Sequence, residues 1–166
     1  MPNHRPLTIA LIGAGTRGEL NLATLLRRRP GLARFVAVAE ADAECRTRFA
    51  NDYGISEQNT FADYREFFAA PQCADAVIIA LPCVLHYAAA RAALETGYHV
   101  LLEKPMAHTP ADCVHLAQLA RRQDRLLTIA TQCRYNPIYQ RMRRMLDDGR
   151  IGRPITIDCG ENIGYW

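Results

Sequence analysis

Lysine is nearly missing from this chain. Of its 20 basic residues all but Lys104 are arginine. Against such a background a lysine persists where guanidinium will not serve, above all where a group must lose and regain a proton. A single surface lysine left by chance is the alternative. A strong charge of either sign is missing too. The net charge is +3, which singles out no polyanionic partner. The densest basic clusters, at 27–29 and 141–144, fall on predicted helix ends and faces, where charge and solvation explain them. With no helix-turn-helix and no concentrated basic face, nucleic acid is not an expected partner. The cysteines at 45, 73, 83, 113, 133 and 159 include no C-x-x-C pair and no Cys/His spacing that suits zinc. They read as reduced thiols, and no metal site is expected. Long apolar runs are absent as well. The longest, residues 76–85, contains Pro82 and falls short of the ~18 residues needed to span a membrane. The N-terminal run is too short for a signal peptide, so the expectation is a cytoplasmic protein with no membrane association. There is no repeat of fixed period and no low-complexity segment.

What remains is an ordinary globular composition, 49% hydrophobic and 22% charged, over 166 residues. That length holds one domain and the start of another. The organising stretch is residues 7–18, LTIALIGAGTRG. An apolar, partly β-branched run reads as a buried parallel strand. It enters Gly13-x-Gly15-x-x-Gly18 directly, and a helical pattern begins near Arg17. Each glycine has its own reason: Gly13 for a tight turn, Gly15 for close approach of a pyrophosphate to bare backbone, Gly18 for packing of helix on strand. Ala14, Thr16 and Arg17 fill the turn between them, at a helix N-terminus that offers N–H groups to an anion. A second apolar strand, residues 35–39, ends at Glu40, 22 residues beyond Gly18, where an acid can bind an adenosine ribose. A structural turn followed by a solvated Glu is the plainer alternative.

Further along, the pattern predicts helices over 17–29 and 42–53, a turn and brief helix over 60–69, and a third strand at 76–81 ended by Pro82. A helix from about residue 84 stops at Gly97, and a fourth strand at 98–102 runs into Glu103-Lys104-Pro105. Thr109-Pro110 and Asn136-Pro137 each read as a helix cap followed by proline at the first helical position. A fifth strand lies between those two helices at 126–130. Residues 155–159 alternate as a strand with one solvated face. Strands and helices thus alternate for some 150 residues before the pattern changes, which predicts an α/β doubly wound parallel sheet of the Rossmann type. The expected organisation is a dinucleotide-binding domain at 1–152. Residues 153–166 then begin a second, α+β domain, of which only the first strand is present.

Four blocks carry a resemblance: GAGTRG at 13–18, VAVAEAD at 36–42, DAVIIALPCVLHYAAARAALETGYHVLLEKPMA at 75–107 and QCRYNP at 132–137. On these the chain resembles the N-terminal domain of the Gfo/Idh/MocA oxidoreductases, the family of glucose-fructose oxidoreductase and inositol 2-dehydrogenase. The resemblance implies an NAD(P)-binding domain followed by a larger open-sheet domain for substrate contacts and dimerisation. Its implied activity is hydride transfer between a nicotinamide and a sugar, inositol or related polyol, by an enzyme expected to be a homo-oligomer. Lys104 matches the family's catalytic lysine in the EKP element, flanked by Glu103 and Pro105; a buried ammonium there gives up its proton more readily. An ion pair of Lys104 with Glu103, or another surface ion pair, is the alternative. His86 matches a histidine at the start of a helix facing the cofactor, with packing as its other reading. Leu81 and Cys83 stand where the family often has Thr or Ser and Asn, leaving backbone contacts by Leu81 and Pro82. Gln132, Arg134 and Tyr135 match a polar-x-Arg-aromatic element near the nicotinamide, Tyr135 being equally open to core packing. Glu40 favours NAD over NADP unless Arg17 or Arg46 swings over the ribose. The family's second-domain Asp-x-x-x-His pattern is not in the sequence, so the chain is expected to be a fragment, inactive alone. A glycosidase using transient NAD oxidation and a non-catalytic dinucleotide sensor are the other readings.

Overall fold

The computed structural model of the chain describes residues 5–29, 31–158 and 160. By contacts the chain divides into two units, Met1–Ala130 and Thr131–Trp166. In the first, six parallel strands form one sheet: β1 (Leu7–Ile12), β2 (Ala33–Ala39), β3 (Thr60–Phe61), β4 (Ala76–Ile79), β5 (His99–Leu102) and β6 (Leu127–Ile129). Their order is β3-β2-β1-β4-β5-β6, the dinucleotide-binding doubly wound arrangement in which the chain moves outward from β1 on one side and then on the other.

The apolar residues of the central strands divide between two faces, both buried, with a register shift where β1 meets β2 between Ile9 and Ala10. Ala10, Ile12, Val77, Ile79, Val100 and Leu102 pack on one face beneath α3 (Tyr64–Ala69), α4 (His86–Glu95) and α5 (Pro110–Arg122). Ile9, Leu11, Phe35, Val38 and Ile78 pack on the other. The helices covering that second face are α1 (Thr24–Arg27) and α2 (Ala43–Tyr53). Burial on both faces is what removes polar alternation from these strands.

Capping signals are realised at residue level. Asp42 accepts from the Cys45 N–H to open α2, Thr109 from Asp112 N–H to open α5, and both α5 and α6 (Pro137–Asp147) begin on proline. The helix predicted over 17–29 departs from expectation. It opens as a wide π-type helix, Arg17–Ala23, before becoming α1. The Thr24 N–H and hydroxyl both donate to Glu19 O, five residues back. The wide opening accompanies the press of Gly18 onto the Gly13 carbonyl.

Two strand expectations need correction. β3 lies within the stretch read as a turn; at two residues it is too short to show any periodicity. Residues 155–158, read as a strand, are not one, and Cys159 lies outside the described residues. A strand needs a hydrogen-bonding neighbour, and the second unit holds no strand among its described residues, only the turn Gln132–Tyr135 and α6.

At the amino end of the sheet Asp75 accepts from both Arg5 Nη groups, from the Thr8 N–H at 2.8 Å and from the Thr8 hydroxyl at 2.7 Å. The Arg5 bonds first, then those from Thr8, hold its carboxyl well below the usual carboxylate range. The native value lies below the unfolded value of about 3.9. The stabilisation is therefore fully present above pH ~4 and is lost as pH falls through the native value. Asp75→Ala is expected to cost about 1–2 kcal/mol at pH 7, chiefly through the lost Thr8 bonds, because Arg5 is exposed. Urea unfolding of both proteins at pH 7 and pH 3 checks this. The gap between them should narrow at pH 3.

Candidate functional site: the carboxyl edge of the sheet

The loops that follow the strands lie along one edge, registered by ladder bonds. Gly13 N–H donates to Ala39 O, Glu40 N–H to Phe61 O, Ala80 N–H to Ile12 O, Glu103 N–H to Ile79 O and Ala130 N–H to Leu102 O. Between β1 and β4 the strand order reverses. Ligands of open α/β sheets bind at that crevice.

The glycine turn stands there. Gly13 has φ +94, and a Cβ on it would lie 2.7 Å from Ala80 O, so both conformation and space require glycine. A Cβ on Gly18 would collide with the Gly13 carbonyl. Around Gly15 the situation is opposite: an added Cβ would meet nothing within 4 Å, so the backbone there is open to a ligand. Ala14 is buried, and its N–H donates to Glu40 Oε2 at 2.6 Å.

Glu40 is thereby held against the turn, and its Oε1 accepts from the Asp42 N–H at 2.9 Å. A carboxylate offers about four lone-pair sites; these two bonds leave room for ribose hydroxyls. Neither neighbouring arginine bonds the Glu40 carboxylate among the described residues. Arg46 Nη1 donates to the carbonyls of Glu40 and Ala41, and Arg17 Nε donates to Glu103 Oε1 at 2.7 Å.

Glu103 is only 5% exposed although charged. Its second oxygen accepts from the Lys104 N–H at 3.2 Å. The Lys104–Glu103 ion pair considered above is therefore replaced by Arg17–Glu103. The Lys104 side chain is exposed and makes no hydrogen bond or ion pair among the described residues. This corrects the expectation of a buried ammonium: Lys104 stands beyond the end of β5, outside the core that the helices cover.

His86, 1% exposed, sits between two of these loops. Its Nδ1 lies 2.6 Å from Pro105 O and its Nε2 2.9 Å from Leu81 O. Whichever tautomer is present, both ring nitrogens face backbone carbonyls, so the ring braces the Leu81-Pro82 and Lys104-Pro105 segments to each other. Pro82 itself precedes the short turn leading to α4.

In the second unit Gln132, Arg134 and Tyr135 share the turn Gln132–Tyr135 before α6. All three are exposed, Tyr135 at 73%, which overturns core packing for Tyr135. Among the described residues no three His, Cys, Asp or Glu side chains converge as a metal site, and no helix is long and apolar enough to cross a membrane. Sequence reasoning missed the Arg17–Glu103 bridge and the Arg46 clamp. The bridge joins residues 86 apart and left no local signal.

A glycine turn, an acid at the end of β2 and a reversal of strand order on a parallel sheet define a Rossmann dinucleotide-binding domain. Comparison with known proteins narrows this. Residues 7–131 match the family model of the Gfo/Idh/MocA oxidoreductases, described as an oxidoreductase family with an NAD-binding Rossmann fold. The chain belongs to this family, and the domain is its NAD-binding Rossmann domain. Inositol 2-dehydrogenase 1 of Saccharopolyspora erythraea is 36% identical over 152 residues, covering 91% of this chain and 44% of that protein. The chain thus spans less than half the length of this relative. The WlbA dehydrogenase from Chromobacterium violaceum, solved with NADH and UDP-GlcNAcA, superposes with a TM-score of 0.80 at 26% identity, over 90% of this chain and 42% of that one. A 3-ketoreductase from Actinomadura kijaniata, solved with NADP, gives 0.76 at 26% identity, over 87% and 43%.

Proposed function

We propose that this domain serves an oxidoreductase that moves hydride between NAD and a carbon of a sugar, inositol or related polyol. What supports the reading is the convergence on one sheet edge of the glycine turn, the Glu40 carboxylate and the Glu103-Lys104-Pro105 segment, together with relatives that are inositol dehydrogenases. Residues 13–18 would hold the pyrophosphate, with Gly15 as its closest approach. Glu40 would accept from the adenosine ribose hydroxyls, and the Leu81 and Pro82 backbone would line the nicotinamide side. When bound, the nicotinamide supplies a hydride acceptor or donor. Lys104 is the proton-transfer residue. As the neutral amine its unpaired side chain would take the hydroxyl proton while the alcohol carbon loses hydride, and the ammonium so formed would return that proton when the carbonyl is reduced. His86, with both nitrogens given to backbone carbonyls, supports this cofactor site by holding the two loops together. Substrate contacts come from the part of the relatives' length that this chain does not span.

Glu40 carries the preference for NAD, since a carboxylate at that place repels a 2′-phosphate. Glu40→Ala is expected to narrow the NADH-over-NADPH affinity ratio by about tenfold, or ~1.4 kcal/mol. Titration of the 166-residue chain with each cofactor measures it. An unchanged ratio removes Glu40 from the ribose site.

A further inference from the structure

The buried Glu103 carboxylate has one partner on each side. One oxygen takes the Nε–H of Arg17, from the turn that opens the first helix; the other takes the N–H of Lys104. No other hydrogen bond or ion pair reaches this carboxylate among the described residues. A carboxylate removed from water is held by the groups that neutralise and hydrogen-bond it, so Glu103 follows Arg17, and the Lys104 backbone follows Glu103. Arg17 spends only Nε on this contact. Its two Nη groups have no acceptor among the described residues, and Arg17 sits two residues beyond the open backbone at Gly15. A guanidinium presents its donors in a fixed planar fork. Anchoring Nε on Glu103 therefore restricts where the Nη donors of Arg17 can meet a phosphate.

We infer that Arg17 is a positioning residue that couples the phosphate end of the cofactor site to the lysine: a diphosphate held by the glycine turn engages the Nη groups of Arg17, and the Arg17–Glu103 bond carries that engagement to the Lys104 backbone. The inference rests on the cofactor reading above and deepens it. The lysine then takes its working position when the phosphate part of the site is filled.

The solitary lysine makes this testable in the intact 166-residue chain. Labelling lysine with 13C at Cε gives a single side-chain resonance, that of Lys104. The probe is ADP, which carries the adenosine and diphosphate but no second ribose and no nicotinamide, and so has nothing to place against the lysine itself. In the unsubstituted chain, ADP is expected to shift the Lys104 resonance by more than its linewidth, along the same saturation curve as calorimetry gives for binding. Arg17→Met should still bind ADP, more weakly, while the resonance stays still at saturation. Glu103→Gln, which keeps the side-chain shape and the Arg17 contact but loses the charge and offers Lys104 an amide, should also suppress the shift. It serves as the independent variant if Arg17→Met does not fold. A purely structural bridge would lower stability in these variants without separating ADP binding from the lysine signal. ADP that binds the unsubstituted chain and leaves the resonance unmoved overturns the coupling alone. An undiminished shift in either variant does the same. Failure of ADP, NADH and NADPH all to bind the folded chain overturns the cofactor reading and the coupling together.

Discussion

Alanine at Gly13 is expected to abolish detectable NADH binding and to lower stability by about 2–3 kcal/mol. The backbone there has φ +94, and the new Cβ would stand 2.7 Å from a backbone oxygen of Ala80. A non-glycine residue in such a conformation costs of order 1–3 kcal/mol. The clash adds to that, because the opposing atom belongs to the chain leaving β4 and cannot rotate away. Relief requires the turn to move from the edge. If the same ~3 kcal/mol is charged to the binding-competent arrangement, affinity falls more than 100-fold. Gly15→Ala provides the contrast. Its Cβ meets nothing within 4 Å and its backbone is not left-handed, so thermal stability should hold or rise slightly. NADH binding should nevertheless weaken, since the methyl enters the space assigned to the pyrophosphate. Thermal melts and cofactor titrations of both variants separate the two roles. Loss of stability in Gly15→Ala, or intact binding in it, would contradict the assignment.

The second large effect belongs to Lys104. In a polypeptide that carries this domain together with a family substrate domain, Lys104→Met is expected to reduce turnover by about 10²–10⁴-fold, the range typical of general acid–base catalysis. NADH affinity should remain within about twofold, because the Lys104 side chain makes no contact among the described residues that holds the cofactor turn in place. Methionine keeps most of the length of the stem and removes the ammonium. Steady-state kinetics and NADH titration on the same variant distinguish a proton-transfer residue from a binding residue. A loss confined to affinity would assign Lys104 to binding.

Much of this arrangement was legible in the sequence because it is local. The strand–glycine–helix run at 7–18, the acid ending β2 and the caps at Thr109 and Asn136 each depend on neighbours within a few residues. Periodicity and turn chemistry report such neighbours directly. The interactions that organise the edge are of another kind. Arg17 meets Glu103 across 86 residues, as Thr8 meets Asp75 across 67 at the opposite, amino end of the sheet, and nothing in residue spacing announces a partner so distant. His86 was legible as a residue at the start of a helix, but not as a brace, since its two partners are carbonyls that every residue possesses. β3 escaped because two residues show no period. The run at 155–158 was over-read for the converse reason: alternation expresses a face, whereas a strand also needs a neighbour to pair with.

The most direct measurement is calorimetric titration of the 166-residue chain with NADH and with NADPH, beside a circular-dichroism spectrum of the same sample. Saturable binding of one NADH per chain, with NADPH weaker by at least about tenfold, is the expected result. It would establish that the glycine turn and Glu40 form a self-sufficient cofactor site. A folded chain that binds neither dinucleotide, or that prefers NADPH, would contradict it.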